Sequence, residues 1–462
     1  MNIKDISQEI WKIEKKFYLF QRRIDGIYFW KLARFNLYKK IKSKKNLTGQ
    51  AHTKADKDLL SRLLYLPRLL KNTFLHGAIT RNTQRDILIF PHARPEKLND
   101  KYIDKFTKFF IEDLENKKYE IVDIPYRERY HYKKPDNKRS YNEHFSFIDF
   151  LKRNCIKTKL EDKDIEFLKK IQKEIEEVLD VEIELVEWVK RSITRFKCEY
   201  NYYEKLIKKR NPKEMYFLVS YGKEPMIAAA KDNGVKTIEF QHGMMNRYHL
   251  GYSFPNTDDV PYFPDKILLF GKYWHDATPL PEGQVEIEYY GFPYMDEMIE
   301  GFRDIEKKEN QLIFISQGPI GAKLSKVAYE MAKQNKDIKI VYKLHPGEYD
   351  RWQKEYPWLV KAVQLQNFRI IDNNDIHLYE LLARSEYQVG VSSTAIFEGI
   401  VLDCKTIIMD LPGGKEYMEY LIFDGYAKLA GDTGDIMKYI EEDDFPRDVD
   451  KTYFFEGVGD EK

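Results

Sequence analysis

From residue 86 onward, short β-type runs alternate with helical ones, and this alternation constrains the fold more than any other feature of the chain. Residues 86–90, 119–124, 215–220, 236–241, 266–270 and 285–290 read as strands. A second series follows Gly291-Phe292-Pro293, with strands at 312–316, 338–344, 368–371, 387–391 and 406–409 and helices near 321–335, 350–361, 376–385 and 394–403. Alternation of this kind produces right-handed crossovers and mostly parallel sheets. Two such series predict two doubly wound, Rossmann-like α/β domains, 85–292 and 293–430, facing each other across a cleft. Long polar helices over 160–210 interrupt the first, and a helix and tail over 431–462 end the chain. Ligands of such sheets sit outside the carboxyl ends of the strands, so the residues at those ends are the candidates for function.

Ahead of this pattern, residues 1–84 form a basic amphipathic helical segment. Residues 1–90 hold 20 Lys and Arg against 7 Asp and Glu, a local charge of +13 in a chain whose total is only +2. The near-neutral total does not point to a nucleic-acid partner. Residues 9–45 read as helical, with Phe17, Phe20, Ile24, Ile27, Tyr28 and Trp30 near one side. Residues 59–79 repeat the theme, with Pro67 breaking or kinking the helix. Such helices lie in a membrane interface or pack on a neighbouring domain, so an anionic membrane surface is an expected partner of residues 1–80 and packing the alternative. Cys155, Cys198 and Cys404 show neither a disulfide framework nor zinc spacing, which suits a reducing compartment. The opening MNIKDISQEI is not a signal peptide, and no apolar run approaches the roughly 18 residues of a membrane span. The expectation is a cytoplasmic protein, soluble or peripheral at the inner face of the membrane.

The strand ends of the second domain carry the most specific residues. Residues 338–344 run into His345-Pro346-Gly347-Glu348, where Pro346 ends the ladder for want of an N–H. Lys343 and His345 share one side of that strand by its two-residue period, offering two cations to a phosphate. Residues 387–391 lead into Ser392-Ser393-Thr394, at a helix N-terminus whose free N–H groups and dipole favour an anion. Ser and Thr are also ordinary caps. Glu398, one turn further on, offers hydrogen-bond acceptors to a ribose diol. The first strand ends in Ser316-Gln317-Gly318, where glycine permits close backbone approach or simply a tight turn. Together these ends predict nucleotide binding by the second domain.

In the first domain, residues 236–241 end in His242-Gly243. A neutral imidazole there can take a proton from a hydroxyl; a satisfied core histidine is the competing reading. Arg247 and His249 are candidates for holding an anionic acceptor. The Asp-x-Asp triplets 56–58 and 448–450 lie outside this constellation, so no metal or other cofactor is expected.

Three segments, Gln241-His242-Gly243, Lys343-Leu344-His345-Pro346 and Ser392-Ser393-Thr394-Ala395-Ile396-Phe397-Glu398-Gly399, give the chain a family likeness over roughly residues 210–425. It resembles the GT-B glycosyltransferases of bacterial surface polysaccharide synthesis, most closely the branch with capsule-polymer transferases, sialyltransferases, polysialyltransferases and teichoic-acid glycerophosphotransferases. The resemblance implies that His345, Ser392 and Ser393 contact the donor phosphate. It implies that His242 is the base, at the position of a Trp-His-Gly histidine with Gln241 replacing the Trp. The implied reaction moves a sugar from a CMP-, CDP- or UDP-linked donor to a glycan or lipid-linked acceptor by direct displacement. A glycerol- or ribitol-phosphate transferase uses the same parts on phosphorus, and a non-catalytic nucleotide-binding scaffold in polysaccharide assembly is the alternative outside enzymes.

Overall fold

The computed structural model describes residues 1–47, 59–93, 95–98, 101–114, 116–125, 131–143, 158–318 and 320–459; Cys155 and the 56–58 triplet lie outside them. The strands are β1 (Ile87–Phe90), β2 (Glu96–Leu98), β3 (Lys101–Ile103), β4 (Tyr119–Asp123), β5 (Arg139–Tyr141), β6 (Glu214–Leu218), β7 (Lys236–Phe240), β8 (Lys266–Leu269) and β9 (Glu286–Tyr289), followed by β10 (Lys308–Ile315), β11 (Lys339–Lys343), β12 (Phe368–Ile371), β13 (Ser385–Gly390), β14 (Lys405–Met409) and β15 (Lys428–Ala430). Apart from the antiparallel β2–β3 hairpin they form two sheets, ordered β5-β4-β1-β6-β7-β8-β9 and β12-β11-β10-β13-β14-β15. Every pairing in these two sheets is parallel. The fold is thus two doubly wound α/β units, as the alternation led us to expect.

Helices cover both faces of each sheet, which is why the central strands read as unbroken apolar runs such as Ile87-Leu88-Ile89-Phe90, all buried. Ten of the eleven strands read from the sequence sit within two residues of their observed bounds. β10 starts four residues early, across an irregularity in its register with β13 and a left-handed Asn310 (φ 56°). The strands not foreseen, β2, β3, β5 and β15, are three residues each, too short for a period of two to show.

The stretch expected as one helix over 9–45 is two, Ile3–Phe17 and Phe29–Lys44. The first stops at Tyr18 in the left-handed region (φ 52°), and a turn through Asp25 and Gly26 (φ 51° and 76°) reverses the chain. Each helix buries one face and keeps the other in solvent. Ile6, Ile10, Phe29, Trp30, Leu37 and Ile41 are buried in the largest core cluster, with Tyr248, Tyr252 and Phe254. Several of their cations are buried with them. Arg34 donates Nε to Glu14 Oε1 at 2.5 Å and a terminal nitrogen to Oε2 at 3.1 Å, and Trp30 Nε1 donates to Glu14 Oε1 at 2.8 Å. Lys31 pairs with Glu224 at 3.7 Å, both side chains being buried. Residues 1–47 therefore pack one face on the body of the protein. The chain also ends on the first unit. Tyr273 N donates to Tyr453 O, Trp274 Nε1 to Phe454 O and Glu456 N to Phe270 O, at 2.8, 2.8 and 2.7 Å.

A buried pair that loses one partner leaves an uncompensated charge, which costs about 3–5 kcal/mol. Glu14→Ala is therefore expected to lower unfolding free energy by about that much, and Glu14→Gln by less. Urea denaturation followed by tryptophan fluorescence measures both.

Candidate active site

In each sheet the strand order reverses beside the first strand, and such switch points open crevices at the strand tips. In the second sheet the crevice lies between β10 and β13. Gln317 and Ser392 span it: Gln317 Nε2 donates to Ser392 O at 2.7 Å, and Ser392 N and Oγ each donate to Gln317 Oε1 at 3.2 Å. Ser393 caps the helix Thr394–Val401 by accepting from Ala395 N. Thr394 Oγ1 accepts from Met244 N of the first unit at 3.0 Å. The three hydroxyls thus have three separate tasks: bracing the crevice, capping the helix and touching the opposite unit.

His345 is exposed at the β11 tip, where its Nδ1 accepts from Gly347 N at 3.0 Å, so the ring proton belongs on Nε2. Pro346 beside it is also exposed. Ser316 is buried and supports this loop from beneath. It donates to Glu348 Oε1 at 3.1 Å, and Glu348 Oε2 accepts from His345 N at 2.7 Å. Ser316 is thus a support where a ligand contact was expected. Lys343 departs further from expectation. Its ammonium is buried on the β12 side, donating to Asn373 O at 2.9 Å and to Tyr349 Oη, with its pKa pushed down to about 8 by burial. Its place on the same side of the strand as His345 does not bring it into the cradle, because the partners on the β12 side claim it.

A cation absent from the sequence reading takes its place. The Arg351 guanidinium lies 3.0 Å from where a Cβ on Gly318 would stand, and Arg351 Nε donates to Gly347 O at 2.9 Å. It links the turn after β10 to the loop after β11, close over Gly318.

Glu398 is buried on the helix that Ser393 caps. Burial pushes its pKa up to about 7, opposed by Lys105 and reinforced by Glu96. Both of these belong to the first unit, where Lys105 Nζ pairs with Glu96 Oε1 at 2.9 Å. Charges of the two units therefore meet across the gap.

In the first unit, β7 runs into buried Gln241, whose amide donates to Gly243 O at 2.9 Å and accepts from Phe270 N at 2.7 Å. That pins the strand end to the tip of β8. His242 follows, facing Tyr221 at 6.4 Å between ring centroids, and its ring makes no hydrogen bond among the described residues. Burial, with His92 and Lys223 adding to it, lowers its pKa to about 4, so the imidazole is neutral near pH 7. The next two residues meet the capped helix: Met244 through the hydrogen bond above, and Gly243 with a Cβ position 3.4 Å from Thr394 Oγ1. His242 thus lies one residue before the contact between the two units.

The two acceptor candidates are separated. Arg247 is exposed. His249 stacks on Phe35 at 4.9 Å and packs against Tyr221 and Tyr252 at 5.4 and 5.1 Å. Burial pushes its pKa down to about 3, so it holds no anion by charge; it belongs to the aromatic packing behind His242.

A cavity of about 150 Å³ opens instead at the tips of β1, β4 and β5, lined among others by His92, Asp104, Asp123, His131, Lys133 and Arg139. His131 lies flat on Tyr141, 3.6 Å between centroids, with Nδ1 3.3 Å from Asp123 and Nε2 3.0 Å from Glu143. Burial works to lower its pKa, but these two carboxylates outweigh it and hold it above its ordinary value. None of these residues lies in a local motif, and the sequence reading named none of them. Among the described residues no group of His, Cys, Asp and Glu is arranged to hold a metal ion.

No protein-family model matches the chain, and no curated protein does. Among solved structures, UDP-GlcNAc 2-epimerase from Methanocaldococcus jannaschii is 13% identical over 81% of this chain and 97% of its own, with a TM-score of 0.45. MurG of Acinetobacter baumannii is 8% identical over 78% and 90%, with a TM-score of 0.43. A UGT transferase from Siraitia grosvenorii in complex with UDP is 10% identical over 77% and 90%, at 0.39. At these values the likeness reaches no further than an arrangement of two parallel sheets, which the strand order above establishes by itself.

Because the folded pKa of Glu398, about 7, lies above its ordinary 4.5, the fold disfavours the ionised form. The associated stability is present below pH 4.5 and is lost as pH rises through 7. Glu398→Gln is expected to flatten this loss, gaining up to about 3 kcal/mol over the parent above pH 7. Thermal unfolding between pH 5 and 8 measures it.

Proposed function

We propose that the protein is a glycosyltransferase that moves a sugar from a nucleotide-activated donor to a hydroxyl of a surface-polysaccharide or lipid-linked glycan acceptor. The observation that carries this reading is the meeting of the two strand-tip regions: the residues after His242 touch the capped helix of the second unit through Met244 N and Thr394 Oγ1 at 3.0 Å. A base and an anion-binding helix end therefore share one gap.

In this reading the donor phosphates lie at the β10–β13 crevice. The N-terminus of the helix Thr394–Val401, the His345 Nε2–H and Arg351 receive the negative charge that grows on the leaving phosphate. Each such group typically lowers the barrier by about 2.7–4 kcal/mol. Glu398 accepts from the ribose hydroxyls. His242 takes the proton as the acceptor oxygen attacks the anomeric carbon, work that contributes roughly 10²–10⁴-fold. Its burial serves this role, because an imidazole with a pKa of about 4 stays unprotonated throughout the neutral range. In this reading protein groups carry the leaving charge.

A second reading, epimerisation of the sugar on its nucleotide, is favoured by the cavity at the β1, β4 and β5 tips, where Asp104, Asp123 and His131 supply groups that exchange protons. Incubation with CMP-, CDP- and UDP-sugars, with and without a glycan extract, separates the two. Acceptor-dependent nucleotide release supports transfer; an altered sugar still attached to its nucleotide supports epimerisation; neither change in any mixture overturns both.

His242→Ala is expected to lower turnover at least 100-fold while nucleotide-induced thermal stabilisation is retained. In the parent, the acid limb of kcat/KM should fall near pH 4, where His242 titrates, and not near 6.5. Arg351→Ala should do the reverse of His242→Ala, weakening nucleotide stabilisation first.

A further inference from the structure

The first two N-terminal helices bury an apolar face in the largest core cluster, whereas the helix Leu59–Leu75 turns apolar residues outward. It holds the first unit by one side near its C-terminal end. Asn72 and Thr73 are buried, Asn72 Nδ2 donates to Glu143 Oε1 at 3.0 Å, and Tyr141 N donates to His76 O at 2.9 Å. At about 100° per residue, Pro67, Arg68, Lys71, Phe74 and Leu75 fall on the side away from Thr73, and all five are exposed. Phe74 keeps 59% of its surface in solvent and Leu75 67%. A single exposed leucine needs no explanation, but apolar residues gathered on one helix face mark a contact surface.

The charges say what kind of surface. Residues 59–85 contain five Lys and Arg and no Asp or Glu. Among the described residues Arg68 and Lys71 make no ion pair, whereas Lys4, Lys12 and Lys16 of the first helix find carboxylates, as in Lys4–Glu419 at 3.0 Å and Lys16–Glu174 at 2.7 Å. Pro67 lies within the helix without ending it. Among the described residues, the outward face therefore combines apolar tips with cations that have no carboxylate partner.

We propose that this face docks on an anionic lipid surface, with Phe74 and Leu75 at the acyl boundary and Arg68 and Lys71 among the headgroup phosphates. The helix leads through His76 to the end of β5, so docking sets the strand-tip side of the first unit against the bilayer. In this proposal the lipid contact is made by this helix, while the helices Ile3–Phe17 and Phe29–Lys44 each turn a face to the core.

Sedimentation of the full chain with vesicles of equal parts phosphatidylcholine and phosphatidylglycerol, against phosphatidylcholine alone, tests this. Binding to the anionic vesicles that weakens with salt is expected. Arg68→Ala/Lys71→Ala should weaken it roughly 30-fold, at about tenfold or less per cation. Phe74→Ser/Leu75→Ser should weaken it at least tenfold, with unfolding temperature unchanged in both. Lys12→Ala/Lys15→Ala, on the first helix, should leave it as in the parent. No binding of the parent to anionic vesicles overturns the proposal, as does equal binding by all three variants. So does a concentration-dependent dimer that the Phe74/Leu75 variant abolishes, which would make the face a contact between copies of the chain.

Discussion

The buried carboxylate of Glu14 is the point on which the candidate site depends. It accepts from Trp30 and Arg34, and the same Arg34 guanidinium donates to the carbonyl of Leu250. Four residues along the helix, Tyr38 donates to Tyr248 O at 2.9 Å. Leu250 and Tyr248 belong to the loop that leaves β7 with His242 at its head. The basic N-terminal helices thus hold the loop in place. An unpaired guanidinium in that interior would be prohibitively costly, so the carboxylate and the carbonyl together fix where the loop runs. The helices also brace the second unit: Lys42 Nζ reaches Tyr417 Oη at 2.5 Å, and Ile3 packs against Gly413.

Burial also sets the chemistry at the gap. It keeps the His242 imidazole neutral and pushes the Glu398 carboxyl up to about 7. Desolvation disfavours charge in both, with opposite consequences: a base that stays unprotonated and an acid that ionises reluctantly. Lys105, reaching in from the first unit, is the charge that eases ionisation of Glu398. The ribose acceptor of one unit is therefore tuned by a residue of the other.

Much of this was legible along the chain. The period of the apolar runs located eleven of the thirteen strands of the two sheets, and the rule that ligands sit at strand tips led to His242, Gln317, His345 and Ser392–Thr394, which do follow strand ends. What failed were inferences that needed the direction of a side chain. Lys343 and His345 share a strand side, yet Lys343 is drawn to Asn373 and Tyr349. Ser316 is drawn under its loop by Glu348. His249 is taken up in a stack of rings. Long or polar side chains settle where partners happen to be, and those partners lie 6 to 214 residues away.

The sequence by itself determined the two parallel sheets, their near-exact strand bounds and which residues end each strand, because these follow from local period and from residues that stop a ladder. Only the tertiary structure decided which unit supplies Lys105 and Arg351 to the gap, and that two of the basic leading helices bury an apolar face in the core while the third turns apolar residues outward. The physical reason is that local pattern records whether a face is apolar. Whether that face finds a carboxylate such as Glu14 to neutralise its cations, or is left in solvent with Arg68 and Lys71 unpaired, depends on what the rest of the chain brings beside it.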